Sequence, residues 1–481
     1  MKKAILILTL AGAWGAEIPK HPRDLKFPPL SFTPPHAADF RHKLAAGSVA
    51  YLVEDHELPL IHISVLVRTG EYLEPAAKTG LAQLTGSQMR SGGTESKPAA
   101  VFDEEAAFLA AQISSSIGST EGSASLDCLS RDIDVGLAMF TDMLRHPGFA
   151  EDRLKLAKNQ SLQYMERRND STSGIEFREF DRLLRGEHHF STRQPTKASI
   201  EGITRQDLLD FHAKYYYPAN FILAISGDFQ TKDMLAKLDK AFGGWANRPG
   251  VVPLPPKPEF TPTAGVYVVD KKVNQGRVRM GHLGVTIANP DHLAITIMNG
   301  ILGGSGFTSR IMSRVRSDEG LAYQAGSAFQ HGYFYDGTFA VVFQSKSASV
   351  AQAVAIVRDE IAKMRSTPVT REELDIEIGR AVESFPRRFA TAALRASQFA
   401  GDDYNQVPAN YWETYRQRIQ ALKPDDIQRV AEKYLQPDKL IILVVGDADA
   451  IQKGNPDKPQ FKLGHATRIP LPDPLTMVYP K

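Results

Sequence analysis

Cysteine is almost absent from this sequence of 481 residues, because Cys128 is the only one. A single cysteine cannot form an intramolecular disulfide bond, and this excludes a disulfide framework and a cysteine-rich metal site. Cys128 lies in the alternating run Ser-Leu-Asp-Cys-Leu-Ser, which is typical of a β-strand. The pattern favours a small buried core residue over a nucleophile.

The sequence also lacks a strong net charge, with 57 basic and 55 acidic residues. Residues 1–16 begin with the basic pair Lys2 and Lys3, continue through the apolar run Ala4–Leu10 and end in small residues. This pattern is typical of a secretory signal peptide. Its removal takes away two lysines and leaves 55 basic and 55 acidic residues. The composition therefore indicates neither nucleic acid nor an anionic membrane as a partner.

Long apolar runs are missing beyond this N-terminal segment. Ala4–Leu10 is much shorter than the ~20 residues of a membrane-spanning helix, although an N-terminal anchor is the alternative interpretation. We therefore expect a protein that is secreted across the inner membrane into the periplasm. Residues 17–37 are rich in proline and lysine and are predicted to form an extended leader.

The rest of the chain contains the same sequence pattern twice. Lys214-Tyr215-x-x-Pro218 followed by Gly227-Asp228 recurs as Lys433-Tyr434-x-x-Pro437 followed by Gly446-Asp447, an offset of 219 residues (433 minus 214). Both blocks predict a helix, a proline turn and an apolar strand. A repeat of this length at a fixed offset indicates an internal duplication.

The repeat and a proline-rich linker divide the chain into six segments. We predict an α+β fold with two homologous halves, each a largely antiparallel sheet packed with helices. The segments are the signal peptide (1–16), the leader (17–37), the first half (38–247), the linker (248–262), the second half (263–449) and a C-terminal tail (450–481).

A helix is predicted within Gly80–Thr94, where Gly-Leu-Ala opens it and Gly-Gly-Thr closes it. This frame resembles the active-site helix of the pitrilysin/insulinase-like zinc metallopeptidases, the inverzincins, in which the centre reads H-x-x-E-H. In that motif two imidazoles on one helix face bind zinc and the carboxylate polarises its water. The three positions here hold Gln83, Gly86 and Ser87, and none of them is a normal zinc ligand or general base.

The family's third zinc ligand is a glutamate on a downstream helix, which matches the helix predicted at Glu151–Arg168. The usual spacing falls near Tyr164, and Glu166 is the nearest acid. One carboxylate cannot hold zinc alone. We therefore predict no metal and no other cofactor in this chain, and the resemblance implies that the zinc lies in a partner subunit.

The resemblance is closest in the second half, in the segments Gln275–Gly281, Asn299–Arg310 and Val315–Tyr323. The loop Gly303-Gly-Ser-Gly306 lacks the lysine of a nucleotide-binding loop, so a tight turn is predicted and a nucleotide is not expected. The sequence predicts a helix over Phe307–Asp318 that ends before Gly320.

The resemblance gives Arg316 and Tyr323 the role of the arginine/tyrosine pair that contacts the substrate's backbone carbonyls. A guanidinium and a phenol can both polarise a carbonyl or stabilise an oxyanion. The alternative is structural, because an arginine near a helix C-terminus meets the helix dipole and a strand tyrosine packs well.

The resemblance further implies a clam shell, in which the two halves enclose a chamber for an unfolded peptide. It implies a non-catalytic, arginine/tyrosine-type subunit of a heterodimeric zinc peptidase, similar to bacterial two-chain members and to mitochondrial-processing-peptidase-like proteins. On this hypothesis a homologous H-x-x-E-H subunit is the partner, and an extended peptide adds a strand to a sheet edge. The chain alone would then be inactive.

Two other functions remain open at the level of sequence. The first is a non-enzymatic peptide-binding or assembly scaffold with the same fold. The second is a hydrolase that acts alone by a different mechanism, although the sequence offers no convincing nucleophile, triad or carboxylate pair for it.

Overall fold

The computed structural model describes residues 25, 30–248 and 250–480. The predicted signal peptide at residues 1–16 lies outside the described residues, as does most of the predicted leader. Every helix and strand below belongs to the compact unit Pro34–Lys481. Within the described part of the chain, no helix is both long enough and apolar enough to cross a membrane.

Two six-stranded sheets form the framework of this unit. The first sheet has the order β1-β2-β6-β3-β5-β4 and consists of β1 (Arg41–Lys43), β2 (Val49–Glu54), β3 (Leu60–Val67), β4 (Gln112–Ile117), β5 (Gly122–Leu129) and β6 (Phe221–Gly227). The second sheet has the order β12-β7-β11-β8-β10-β9 and consists of β7 (Gly265–Asp270), β8 (Gln275–Leu283), β9 (Ala322–Gln330), β10 (Thr338–Lys346), β11 (Ile441–Gly446) and β12 (Ala466–Ile469).

The two sheets repeat one topology. In the first sheet β2 and β6 are parallel, whereas the pairs β6-β3, β3-β5 and β5-β4 are antiparallel. The second sheet repeats these pairings with β7, β11, β8, β10 and β9 in the same order. The central strands β6 and β11 end at Gly227 and Gly446, the two glycines of the sequence repeat. The predicted duplication and the α+β fold are confirmed.

The outer edges of the sheets differ, because β1 is antiparallel to β2 whereas β12 is parallel to β7. Strand β12 lies in the segment 450–481, which the sequence predicts to be a surface tail. The prediction missed this strand because Ala466–Ile469 is short and only Ile469 of it is buried. Four residues with one buried side chain carry no readable period of two.

Alternation along the strands places the core on one face of the first sheet. Ile61, Ile63, Val65 and Val67 of β3 are buried, as their spacing predicts. Cys128 is buried on the neighbouring strand β5, and its burial raises the pKa of the thiol to about 11. The prediction that Cys128 is a small core residue is confirmed.

Helices cover the sheets. The α-helices of the described residues are α1 (Leu81–Ser91), α2 (Ala99–Phe108), α3 (Ile133–Arg145), α4 (Glu151–Glu166), α5 (Thr172–Arg185), α6 (Lys197–Gly202), α7 (Arg205–Tyr215), α8 (Thr231–Phe242), α9 (His292–Asn299), α10 (Arg310–Met312), α11 (Val350–Ser366), α12 (Arg371–Ser384), α13 (Ala392–Tyr404), α14 (Tyr411–Gln420), α15 (Pro424–Tyr434) and α16 (Ala448–Lys453).

One helix of each half packs on the sheet of the other half. Helix α5 belongs to the first half of the sequence but packs on β8 and β11 of the second sheet. Its side chains Ile175, Phe180 and Leu184 are buried in one core with residues of β7 and β11. Next to them the fully buried carboxylate of Glu176 accepts hydrogen bonds from the side chains of Arg277 and Arg279 on β8.

Helix α13 makes the reciprocal contact. It belongs to the second half of the sequence but packs on β2, β3 and β6 of the first sheet. The Asp403 carboxylate accepts a hydrogen bond from the Tyr51 hydroxyl at 2.9 Å, and the Tyr404 hydroxyl donates to the Thr120 carbonyl at 2.6 Å. The central strands are thereby covered on both faces, which accounts for their unbroken apolar sequences.

Candidate functional site

The helix with the degenerate zinc motif is held at its N-terminus by Glu74. The Glu74 carboxylate accepts hydrogen bonds from the backbone amides of Gly80 at 3.1 Å and Ala82 at 2.9 Å, the first groups of α1. Burial raises the pKa of Glu74 to about 7, against the opposing effect of these hydrogen bonds. On the opposite side of α1 from the core, Gln83 and Ser87 are exposed.

Gly86, at the position of the family's general base, is closed in by strand β4. A Cβ atom at this position would lie 2.3 Å from the backbone nitrogen of Ile117 and 2.6 Å from the carbonyl carbon of Ser116. The Ser115 hydroxyl also donates a 2.5 Å hydrogen bond to the Gly86 carbonyl. No side chain fits at position 86 unless the backbone of β4 moves, so the position has no room for a glutamate.

Gln83 and Ser87 face a cavity of ≈ 890 Å³, which we call the Gln83 cavity. Tyr164 on α4 lines the same cavity and is 79% exposed, whereas Glu166 does not line it. The three positions that correspond to the family's zinc ligands therefore face one space, and they carry an amide, a hydroxyl and a phenol.

Such side chains are neutral donors and acceptors and do not fit a zinc ion, which takes imidazole, thiolate and carboxylate ligands. Among the residues that the structure describes, no group of three or more histidine, cysteine, aspartate or glutamate side chains could hold a metal.

The segment that carries Arg316 is not the single helix predicted over Phe307–Asp318. It consists of a 3₁₀ turn at Gly306–Thr308, the short helix α10 and a π-helical turn at Ser313–Asp318. The break occurs at Ser309, whose backbone is extended (φ −83°, ψ 150°). Gly320 follows with φ 62°, the left-handed conformation that was predicted for it.

The Arg316 guanidinium lies between two aromatic rings. Its central carbon is 4.6 Å from the ring centre of Tyr323 and 4.6 Å from that of Phe307. Tyr323 is 83% exposed and Phe307 is 64% exposed. The structure thus brings the two predicted residues together, and the stacking holds the half-buried Arg316 guanidinium between two exposed rings.

The sequence did not single out Phe307. Its spacing of four from Ile311, and of eight from Val315, would put Phe307 on the buried face of an unbroken helix. The break at Ser309 turns it outwards instead. Serine is a common first residue of helices, so Ser309 was the available signal for this break.

Tyr323 lines a second cavity of ≈ 710 Å³, which we call the Tyr323 cavity. Strands β8, β9 and β10 and helix α5 form its walls, and Arg316 stacks on the lining residue Tyr323 without lining the cavity itself. The Gln83 cavity and the Tyr323 cavity share two lining residues, Phe177 and Ser191. The degenerate motif and the arginine/tyrosine pair therefore border neighbouring spaces.

Comparison with known sequences identifies proteins that are similar to this chain. Residues 202–379 match the Peptidase M16 inactive domain family. The chain is 23% identical over 401 residues to a Rickettsia bellii protein named an uncharacterized zinc protease, covering 82% of this chain and 89% of the other. It is 24% identical over 399 residues to the Helicobacter pylori protein named non-peptidase homolog YmxG, covering 82% and 90%.

Solved structures agree with this match. The peptidase M16 inactive domain from Pseudomonas fluorescens superposes with a TM-score of 0.76 at 26% identity, over 84% of this chain and 97% of that chain. The Escherichia coli periplasmic protease PqqL superposes with a TM-score of 0.73 at 13% identity, over 93% of this chain but 49% of that chain. The first half of PqqL alone gives 0.70 at 13% identity, over 88% and 95%.

The fold is shared with neighbouring structures of the M16 type. Within this chain, residues 202–379 match the inactive domain of the peptidase M16 family. The resemblance to the zinc metallopeptidases is confirmed at this level, and an inactive homologue fits a non-catalytic role.

Proposed function

We propose that this chain is the non-catalytic, substrate-binding subunit of a heterodimeric zinc peptidase that cleaves peptides or unfolded proteins in the periplasm. A homologous subunit with H-x-x-E-H supplies the zinc and the general base, and this chain carries no cofactor. One contrast supports the proposal most: Gly86 has no room for the base, whereas Tyr323 is exposed beside a cavity and the half-buried Arg316 stacks on its ring.

In this proposal an extended peptide pairs with β9. This strand is the last of the second sheet, and it begins one residue before Tyr323. An edge strand offers unpaired backbone amides and carbonyls, which an extended peptide can satisfy. The Tyr323 hydroxyl and the Arg316 guanidinium then donate to backbone carbonyls of the peptide, and the chemistry takes place at the partner's zinc.

The size of PqqL supports a second subunit. This chain covers 49% of the PqqL chain, and it covers 95% of the first half of PqqL. One periplasmic protease therefore contains about twice the architecture of this chain. We infer that this chain forms a comparable assembly by pairing with a separate H-x-x-E-H subunit.

The test is to purify this chain alone and together with an H-x-x-E-H partner, and to measure bound zinc and cleavage of an unstructured peptide. We expect activity only in the mixture. Arg316→Ala and Tyr323→Phe should each lower the activity, by up to about 10²-fold if the side chain stabilises an oxyanion. Arg371→Ala on exposed α12 and Tyr267→Phe on β7 are matched controls outside the Tyr323 cavity, and their activity should be unchanged.

A non-enzymatic peptide-binding or assembly scaffold is the second candidate, because the two cavities suit a bound peptide without any reaction. A tight complex whose activity does not respond to Arg316→Ala or Tyr323→Phe would favour the scaffold. Zinc and peptidase activity in the isolated chain would overturn both candidates.

A further inference from the structure

Four arginines line the Gln83 cavity, and only one of them forms an ion pair among the described residues. Arg167, Arg168, Arg178 and Arg193 all line it. Arg178 is paired with the buried Glu179 carboxylate at 2.9 Å. The contacts of the described chain pair none of the other three with a carboxylate. The cavity therefore carries three arginines that have no ion-pair partner among the described residues, although the mature chain as a whole is close to neutral.

Arg168 is the most informative of these arginines. Both terminal nitrogens of its guanidinium donate to a single acceptor, the Pro195 carbonyl, at 3.1 Å. Burial and then the nearby charge of Arg178 lower the pKa of Arg168 to about 10. A half-buried cation beside another cation is unfavourable unless an anion joins them.

Arg193 shows the same incomplete pairing. Its Nε atom is buried without a hydrogen-bond partner, and one terminal nitrogen reaches only the Glu71 carbonyl at 3.5 Å. Buried donors are normally satisfied. Arg167, at the end of α4, is exposed on the same cavity. The three guanidiniums thus offer free donors to whatever occupies the space.

Two acids also line the cavity, and each carboxylate accepts at least one hydrogen bond. The Glu74 carboxylate accepts from the Gly80 and Ala82 amides at the start of α1. Glu71 accepts a hydrogen bond from the Ser119 hydroxyl at 3.0 Å. Neither acid forms an ion pair with the cavity arginines among the described contacts, although Glu74 is close enough to Arg193 for their charges to interact.

We propose that the Gln83 cavity binds a carboxylate of the extended peptide, so that this chain selects acidic polypeptides. The inference rests on the proposed function, because it names the chemistry of the peptide that the chamber takes. The carboxylate comes either from an aspartate or glutamate side chain or from the C-terminus of the peptide. Arg167, Arg168 and Arg193 bind it, while Gln83 and Tyr164 hydrogen-bond to the peptide around it.

A charge-assisted bond from a guanidinium to a carboxylate is roughly twice as strong as a neutral hydrogen bond. We therefore expect an acidic peptide to bind about tenfold more tightly than its neutral isostere. Because the bond is electrostatic and partly exposed, this preference should shrink as the salt concentration rises.

The experiment measures binding of fluorescent unstructured peptides to the full chain by anisotropy. One peptide is neutral and ends in an amide, the second has glutamate in place of one glutamine, and the third is neutral but ends in a free carboxylate. Tighter binding of the second peptide identifies a side-chain carboxylate, and tighter binding of the third identifies the C-terminus. Each result supports the inference.

Arg167→Gln and Arg168→Gln should each remove most of this preference without weakening the neutral peptide, a result that a merely structural role would not give. Arg167 is exposed, so its variant keeps the test valid if Arg168→Gln fails to fold. Lys155→Gln is the matched control, because Lys155 is an exposed cation of α4 outside the cavity.

Equal binding of all three peptides would overturn the acidic preference and leave the proposed function standing. The same holds if the preference persists in both arginine variants. If none of the peptides binds, the carboxylate site and the peptide-binding function fail together.

Discussion

Gly86 lies inside α1 with the backbone of β4 directly against its Cα atom. A Cβ atom there would meet the Ile117 nitrogen at 2.3 Å, and a backbone strand cannot yield as a flexible side chain can. We expect Gly86→Ala to lower the free energy of unfolding by about 1–3 kcal/mol, as overpacking does. Urea unfolding followed by circular dichroism measures the change.

Gly379 provides the control for this prediction. It also lies in a helix interior, in α12, but a Cβ atom there would meet nothing within 4 Å. Gly379→Ala should therefore stabilise the chain by about 1 kcal/mol through helix propensity alone. Equal effects of the two substitutions would show that β4 can move away from α1. The lack of space for a side chain at position 86 would then not be a fixed property of the fold.

Single residues could be predicted where the surrounding residues of a motif fixed their positions in the sequence. The frame of α1 identified Gln83, Gly86 and Ser87, but it could not show that β4 fills the space beside Gly86. That contact joins residues 30 positions apart, and no local pattern reports it. Phe307 was missed for a different reason, since the helix break at Ser309 reversed the face that its spacing implied.

Helix α5 contributes to the stability of the second sheet, because it packs on the sheet of the other half. Phe180 is fully buried there against β11. We expect Phe180→Ala to cost about 3–5 kcal/mol in the free energy of unfolding. The loss should appear as faster amide hydrogen exchange in β11 (Ile441–Gly446), although Phe180 belongs to the first half of the sequence.

Phe177 on the same helix is the control, since it is 59% exposed. Phe177→Ala should change stability by no more than about 0.5 kcal/mol. Unchanged exchange in β11 after Phe180→Ala would mean that α5 does not hold the second sheet. Sequence periodicity cannot predict this arrangement, because it shows that a helix has an apolar face but not which sheet that face meets.

The whole molecule should fold as one cooperative body from Pro34 to Lys481. We expect the fragments 34–262 and 263–481 to be unfolded or molten when they are expressed separately, because each lacks the helix that covers one face of its sheet. Coexpression should restore a stable complex of the two fragments. Size-exclusion chromatography and thermal unfolding followed by circular dichroism measure both outcomes. A fragment that alone unfolds cooperatively at the temperature of the intact chain would refute this expectation.

For the whole molecule, the sequence repeat was sufficient to predict the duplicated topology. The recurring helix, proline turn and strand lead into the central strand of each sheet. The repeat does not show that the halves exchange helices. Helices α5 and α13 make each sheet depend on the distant half of the chain.

The packing of α13 on the sheet of the other half also sets the order in which parts of the protein can fold during synthesis. A nascent chain that has reached Gly227 already contains all six strands of the first sheet. The helix that covers β2 and β6 ends at Tyr404, so that face waits until most of the second half has been made. A growing chain with an uncovered apolar sheet is prone to aggregation. The first sheet therefore cannot reach its final packing until the residues up to Tyr404 have been made.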